Sequence, residues 1–362
     1  MNTTARVIAM YLPQFHPIPE NDKYWGTGFT EWVNVAQARP LFKGHYQPRI
    51  PADLGFYDLR MPEIRKAQAE LARNAGIEGF MYWHYWFGKG RMLLEKPFQE
   101  VLNSGEPDYP FCLGWANHSW MTKTWTKGTA FQRNPMIMEQ LYPGKEDYIS
   151  HFNYCLPAFK DHRYIKVDGK PVFTIFAPFD MPDVKDFIMS WRELAQQNGL
   201  KGIHFVGLRY KDHSVEDLLQ LGFDAVNNRY IYEAQKNLDG SRWITKIKHK
   251  LRTIIVNKYD FAEIAKELDS EMDERRDTYP TILSGFDRTA RSGKDSTIYY
   301  NFTPDTFKVH IKRMLDRVRH KDYEHNIIYL MSWNEWGEGN YMEPDRKYGH
   351  GMLDAFKELI FE

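Results

Sequence analysis

"IIYLMSWNEWGEG", residues 327–339, runs from an apolar, β-prone segment directly into Glu335 and Glu338, which sit among Trp333, Trp336, Gly337 and Gly339. A short apolar run closed by turn residues reads as a strand buried on both faces, as in a parallel sheet. Seven further runs of the same kind precede it: "VIAMYL" (7–12), "GFMYWHYW" (79–86), "FCLGWA" (111–116), "VFTIFA" (172–177), "IHFVGL" (203–208), "FDAVNN" (223–228) and "TILSGF" (281–286). Amphipathic helical patterns lie between them. For 304–319, Thr303 is the cap and Pro304 the first helical residue, with Phe307, Ile311, Met314, Leu315 and Val318 on one face. For 181–198, Asp180 is the expected cap, Pro182 sits in the first turn and Gly199 follows the end. The stretch 61–75 stops before Gly76, and a last helix covers about 350–361. Eight strands alternating with helices predict an α/β fold of the (β/α)8 TIM-barrel type. We read residues 1–362 as a single domain with long aromatic-rich βα loops. A doubly wound open sheet shares this periodicity, but no G-x-G-x-x-G or Walker-type stretch supports it.

Composition narrows the function classes. Lys+Arg and Asp+Glu both total 48, so no net field favours nucleic acid or an acidic membrane. No apolar stretch reaches the ~18 residues of a membrane span. The N-terminus enters strand-like sequence without a separate apolar signal region, so a cytoplasmic location is expected, and the Asn117 sequon then carries little meaning. Cys112 and Cys155 read as buried small hydrophobes rather than a disulfide or metal pair. The histidines show no ligand spacing and no serine-hydrolase elbow is present, so neither a metal nor another cofactor is expected. The basic stretch 242–258 reads as an outer barrel helix, with contact to an anionic surface as the alternative.

In a barrel, chemistry gathers at the C-terminal ends of the strands. Nine of the eleven tryptophans fall there or in the following loops: Trp25, Trp32, Trp83, Trp86, Trp115, Trp120, Trp125, Trp333 and Trp336. Some must brace loops, but their concentration on one face suits a cleft for sugars, which stack apolar faces on rings. The long segment 13–60 after the first strand belongs to the same face. Glu335 and Glu338, three positions apart, are spaced as an acid/base pair for glycosidic cleavage would be. An acidic helix N-terminus is the bland alternative. Glu31 is a third carboxylate, expected to bind a hydroxyl or to form a loop salt bridge. Polar and aromatic candidates for substrate binding are Tyr11, Trp25, Trp32, His84, Tyr85, Trp115, Asn117, Trp120, Arg209, Asn227, Arg291, Asn334 and Trp336. Gln14, His16, His118, Tyr210, Asn228, Asp287 and Arg288 occupy similar strand-end positions.

Three motifs carry a resemblance: "YLPQFHPIPENDKYWGTGFTEW", "LGWANHSW" and "SWNEWGEGNYMEP". They resemble the WbsX-type proteins, relatives of glycoside hydrolase family 99, from the first strand to the last. The match to family 99 itself rests on "NEWGEG" and on Tyr11–Leu12–Pro13. The resemblance implies a (β/α)8 barrel and retaining cleavage of an α-linked glycan. It further implies that Glu335 deprotonates the sugar 2-hydroxyl, which attacks C1 to give an epoxide-like intermediate, while Glu338 is general acid and then general base. Relatives often carry "GWDNTPR" where this chain reads "GFDRTAR" at 285–291, a departure that would mark a different sugar. WbsX-type proteins are commonly labelled glycosyltransferases, a reading that predicts dependence on an activated sugar donor. A barrel that binds glycan without turnover is the third alternative. The partner expected is a carbohydrate substrate, with oligomeric state left open.

Overall fold

The structure is a computed structural model and describes residues 3–121, 136–210, 213–240, 247 and 257–361. Trp125, Trp243 and, Ile247 aside, the 242–256 part of the basic stretch lie outside the described residues. Eight parallel strands close on themselves: β1 (Arg6–Tyr11), β2 (Gly79–Trp86), β3 (Phe111–Trp115), β4 (Lys170–Ile175), β5 (His204–Leu208), β6 (Ala225–Asn228), β7 (Thr278–Leu283) and β8 (Ile327–Met331). Each pairs with its sequence neighbours, and closure is explicit in β1, where Ile8 sits beside Tyr329 of β8 and Gly79 of β2. Closure removes the open edges that a doubly wound sheet would leave.

All eight apolar runs fall on barrel strands, with boundary shifts that have local causes. β7 begins at Thr278, ahead of its run, and includes Pro280, which pairs with Asn228 where the β6 ladder ends, so no donor is missed there. The "SGF" end of that run leaves the strand because Gly285, at φ +86, turns the chain. The helix expected from 181 starts at Val184, with Asp183 in the cap position, because Pro178–Asp180 first closes a 3-10 turn of its own. Pro304–Val318 matches expectation, with Thr303 and Thr306 forming a reciprocal capping box. Pro62–Ala75 ends at left-handed Gly76, and the final helix is Gly351–Ile360. Cys112 and Cys155 are both buried thiols. Among the described residues, no helix is long and apolar enough to cross a membrane.

The core contains groups whose burial ties stability to pH. Burial lowers His84 and His310 to about 3 and His204 to about 4, and holds His151 well below its ordinary value. Burial also raises Asp273 and Glu343 to about 7. As pH falls below 6.5, the unfolded chain takes up histidine protons that the folded chain refuses, and stability drops. The two acids act oppositely, because the folded state holds protons that the unfolded chain still lacks until about pH 4. Burial lowers His16 as well, and five histidines against two acids leave a net loss of about 1–4 kcal/mol per pH unit between 6.5 and 4.5. Asp273→Asn removes one opposing group, so its urea unfolding free energy should fall more steeply than wild type over this window. An equal or shallower slope would contradict the assignment.

Candidate active site

The C-terminal ends of the strands open into a cavity of about 330 Å3. Parity along the strands decides which side chains reach it, because successive side chains point to opposite faces. On β2, Trp83 and Tyr85 line the cavity. His84 and Trp86 turn outward to the helix Lys145–Lys160, where His84 Nε2 meets His151 Nε2 at 2.8 Å and Trp86 Nε1 donates to Asp147 at 3.0 Å. Along β1 and its extension, Met10, Leu12 and Gln14 face the cavity. Tyr11 faces the helix layer, its hydroxyl donating to Gln68 at 2.7 Å. On β6, Asn227 donates to Tyr279 O and Thr281 Oγ1 of the neighbouring strand β7, and Arg229, two residues on, reaches the cavity above it.

At the centre, three carboxylates meet one guanidinium. Arg291 Nη2 donates to Glu335 Oε1 at 2.6 Å and to Glu31 Oε2 at 2.8 Å. Its Nη1 donates to Glu338 Oε1 at 2.7 Å and its Nε to Glu31 Oε1 at 2.9 Å. Gln14 and Asn34 also donate to Glu31, at 2.5 and 3.2 Å, and Arg288 Nε lies 3.3 Å from Glu338 Oε1. Burial alone would lower the Arg291 pKa, yet Glu31, Glu335 and Glu338 raise it well above the usual arginine value. The pieces come from three loops: Glu31 from the short helix Glu31–Gln37 after β1, Arg291 from Thr289–Ser292 after β7, and Glu338 from the 3-10 turn Trp336–Glu338 after β8. That turn, which follows Glu335, gives the close carboxylate spacing, rather than the N-terminus of an α-helix.

Gly337 lies between the two glutamates for a steric reason. A Cβ there would collide with the Glu31 carboxylate and sit 2.9 Å from Arg291 Nε. Gly337→Ala is expected to destabilise the fold by about 1–3 kcal/mol and to lower the proposed turnover by about 10²-fold through misplacement. Thermal unfolding and activity at wild-type values would refute this packing argument.

Aromatic rings make the walls. Trp25 stacks on Phe29 at 4.8 Å, and Tyr85 on Trp120 at 5.9 Å. The cavity therefore collects Trp25, Glu31, Tyr85, Trp120, Arg291, Glu335 and Glu338 of the expected set. The structure does not bring Tyr11, Trp32, His84, Trp115, Asn117, Arg209, Asn227, Asn334 or Trp336 to its lining. Tyr11, His84 and Trp115 have the outward parity, Trp115 Nε1 donating to Trp86 O at 2.8 Å. Asn117 ties two loops through Ala177, donating to its carbonyl and accepting from its N–H. Arg209 bonds Asn228 at 3.0 Å and His213 O at 2.7 Å. Asn334 clamps Leu12 through both backbone groups at 2.7 and 3.0 Å. Trp32 and Trp336 pack on each other behind the carboxylates at 5.6 Å, and Trp336 Nε1 donates to Glu343 at 2.6 Å. Bracing thus accounts for most of the tryptophan concentration.

Sequence reasoning overlooked Arg229, Asn21, Asn34 and Phe176, all in the lining or bonded to Glu31. Arg229 and Phe176 could have been found by carrying the inward parity of Asn227 and Thr174 two residues further. Asn21 and Asn34 lie in the long first loop, where no periodicity signals direction.

The model of the glycosyltransferase WbsX family matches residues 7–356. The chain belongs to that family. WxcX, an uncharacterized protein of Xanthomonas campestris pv. campestris (strain B100), is 32% identical over 363 residues, covering 98% of this chain and 50% of its own. The chain thus spans about half the length of the curated relatives it matches. Among solved structures, the GH99 endo-alpha-mannosidase from Bacteroides thetaiotaomicron with bis-tris-propane superposes with a TM-score of 0.58 at 14% identity, over 99% of this chain and 97% of that one. A glycoside hydrolase-like protein gives 0.58 at 15%, covering 100% and 95%. At these identities the likeness is one of fold, and it places a WbsX member on the barrel of GH99 enzymes.

Proposed function

We propose that this WbsX member is a retaining glycoside hydrolase cleaving an α-glycosidic bond in a bacterial-type polysaccharide or oligosaccharide. The observation that carries the reading is the pairing of Glu335 and Glu338 on one guanidinium at the base of an aromatic-walled cavity. Glycosidic cleavage requires two neighbouring carboxyl groups, one to give a proton and one to act on the sugar. The GH99 fold supports the same chemistry, since a solved neighbour on it is an endo-alpha-mannosidase.

The steps balance with these residues alone. Glu335 takes the proton of the sugar 2-hydroxyl as O2 attacks C1, and the bond from C1 to the leaving oxygen breaks. Glu338 gives its proton to that oxygen. Water then attacks C1 from the face the leaving group vacated, the C1–O2 bond breaks, Glu338 takes the water proton, and O2 recovers the proton held by Glu335. Configuration at C1 is retained after two inversions. Arg291 positions both carboxylates and Glu31, and the rings of Trp25, Tyr85 and Trp120 offer stacking surfaces for sugar units.

The family's own description, a glycosyltransferase, favours a second reading in which the same cavity transfers a sugar from an activated donor. Purified protein incubated with α-linked polysaccharides, with and without sugar nucleotides, separates the two. New reducing ends without a donor are expected. Chain growth that requires a donor, with no cleavage, would establish the transferase and remove the acid/base assignment.

A further inference from the structure

Among the described residues, three guanidiniums line the cavity, and they are not equivalent. Arg291 is taken up by Glu31, Glu335 and Glu338, and Arg288 lies 3.3 Å from Glu338. Arg229 also lines the cavity, but among the described residues its side chain meets no hydrogen-bond acceptor. The centroid of the Phe176 ring lies 6.0 Å from its guanidinium carbon. Burial lowers its pKa from the ordinary arginine value, with Glu338, Tyr299, Tyr210 and Glu335 acting the other way. Arg229 is half-buried, and a ligand that supplies a carboxylate to a partly shielded guanidinium gains charge-assisted, bidentate hydrogen bonds. β6 fixes where it points, since Arg229 continues the inward face that Asn227 begins.

Charge counting identifies the kind of anion. On the proposed hydrolase reading, on which this inference rests, Glu338 carries a proton when substrate binds. Among the described residues, two carboxylates, Glu31 and Glu335, then face three guanidiniums, leaving one positive charge. A single carboxylate neutralises it. The pyrophosphate of a nucleotide sugar, with more than one charge, would leave excess negative charge beside Glu335 in a partly desolvated site.

We propose that Arg229 binds the carboxylate of an acidic sugar, so that the glycan processed here carries a carboxylate-bearing unit, such as a uronic acid, in the subsite next to Glu335 and Glu338. The cavity's own tryptophans, Trp25, Trp83 and Trp120, report binding by fluorescence. D-glucuronate and D-galacturonate are titrated against D-glucose, D-galactose and UDP, using wild type, Arg229→Met and Arg229→Lys. At least one uronate is expected to bind wild type about 10-fold or more tighter than its neutral counterpart. In Arg229→Met that ratio should collapse toward one, and Arg229→Lys should restore part of it. Because the Arg229 side chain makes no hydrogen bond among the described residues, both variants should fold, which thermal unfolding checks. No uronate preference in wild type, a preference that survives in Arg229→Met, or Arg229-dependent binding of UDP tighter than either uronate would overturn the proposal. Cleavage assays keep the two readings apart. Equal cleavage of uronate-bearing glycans by wild type and Arg229→Met sinks the acidic-sugar inference and leaves the hydrolase standing. Arg229-dependent uronate binding with no cleavage of any glycan sinks the hydrolase and leaves the subsite.

Discussion

Glu338→Gln is expected to lower turnover of the cognate glycan by about 10²–10⁴-fold, the usual share of a positioned general acid, while substrate binding changes little. The substitution keeps the size of the side chain and an oxygen that can accept from Arg291 Nη1, so the Arg291 cluster stays assembled around Glu31 and Glu335. What disappears is the exchangeable proton. The loss should therefore depend on the leaving group. An aryl glycoside whose phenolate leaves without protonation should regain most of the bond-breaking step, whereas an ordinary sugar leaving group should not. A purely structural role for Glu338 predicts equal losses with both substrates and a large fall in thermal stability. Glu335 has a complementary test, because its proposed role requires the sugar 2-hydroxyl. A 2-deoxy analogue should bind wild type and remain uncleaved, and its cleavage at a normal rate would exclude the epoxide route.

Arg291→Met should be the most damaging single change to stability at this site. It leaves Glu31, Glu335 and Glu338 facing one another without the guanidinium that bonds all three. Breaking a buried pair by removing one partner costs about 3–5 kcal/mol, a large part of the ~5–15 kcal/mol that holds a typical domain folded. Lysine cannot substitute, because its ammonium cannot reproduce the fork that serves three carboxylates. If mutual repulsion is the cause, removing one charge must help. The double variant Arg291→Met/Glu31→Gln should unfold at a higher urea concentration than Arg291→Met alone. A double variant no more stable than the single one would show that Arg291 acts through packing rather than charge.

The strands were legible because burial on both faces leaves a local signature. "GFMYWHYW" and "IIYLMSW" are too apolar for anything but the inside of a parallel sheet, and each lies on a barrel strand. Thr303–Pro304 and Gly76 marked helix ends because capping is a matter of a few neighbouring residues. The Glu335–Glu338 pair was equally readable, since a turn of four residues fixes its spacing. Closure was not local. It depends on Ile8 finding Tyr329 and Gly79 at once, partners that lie more than three hundred residues apart in one case.

The sequence by itself determined the elements, their order and the two glutamates at the end of the last strand, because each is encoded within one turn or one strand. The tertiary structure decided which strand-end side chains face the cavity. A one-residue difference in parity sends Tyr85 into the cleft and His84 into the helix layer, and boundaries inferred from composition do not resolve one residue. It alone joined Glu31 to Arg291 across 260 positions of sequence, and it left the Arg229 side chain facing the cavity without a hydrogen-bond partner among the described residues. Such juxtapositions arise from barrel closure, which sums weak contacts over the whole chain and leaves no trace in any single stretch of it.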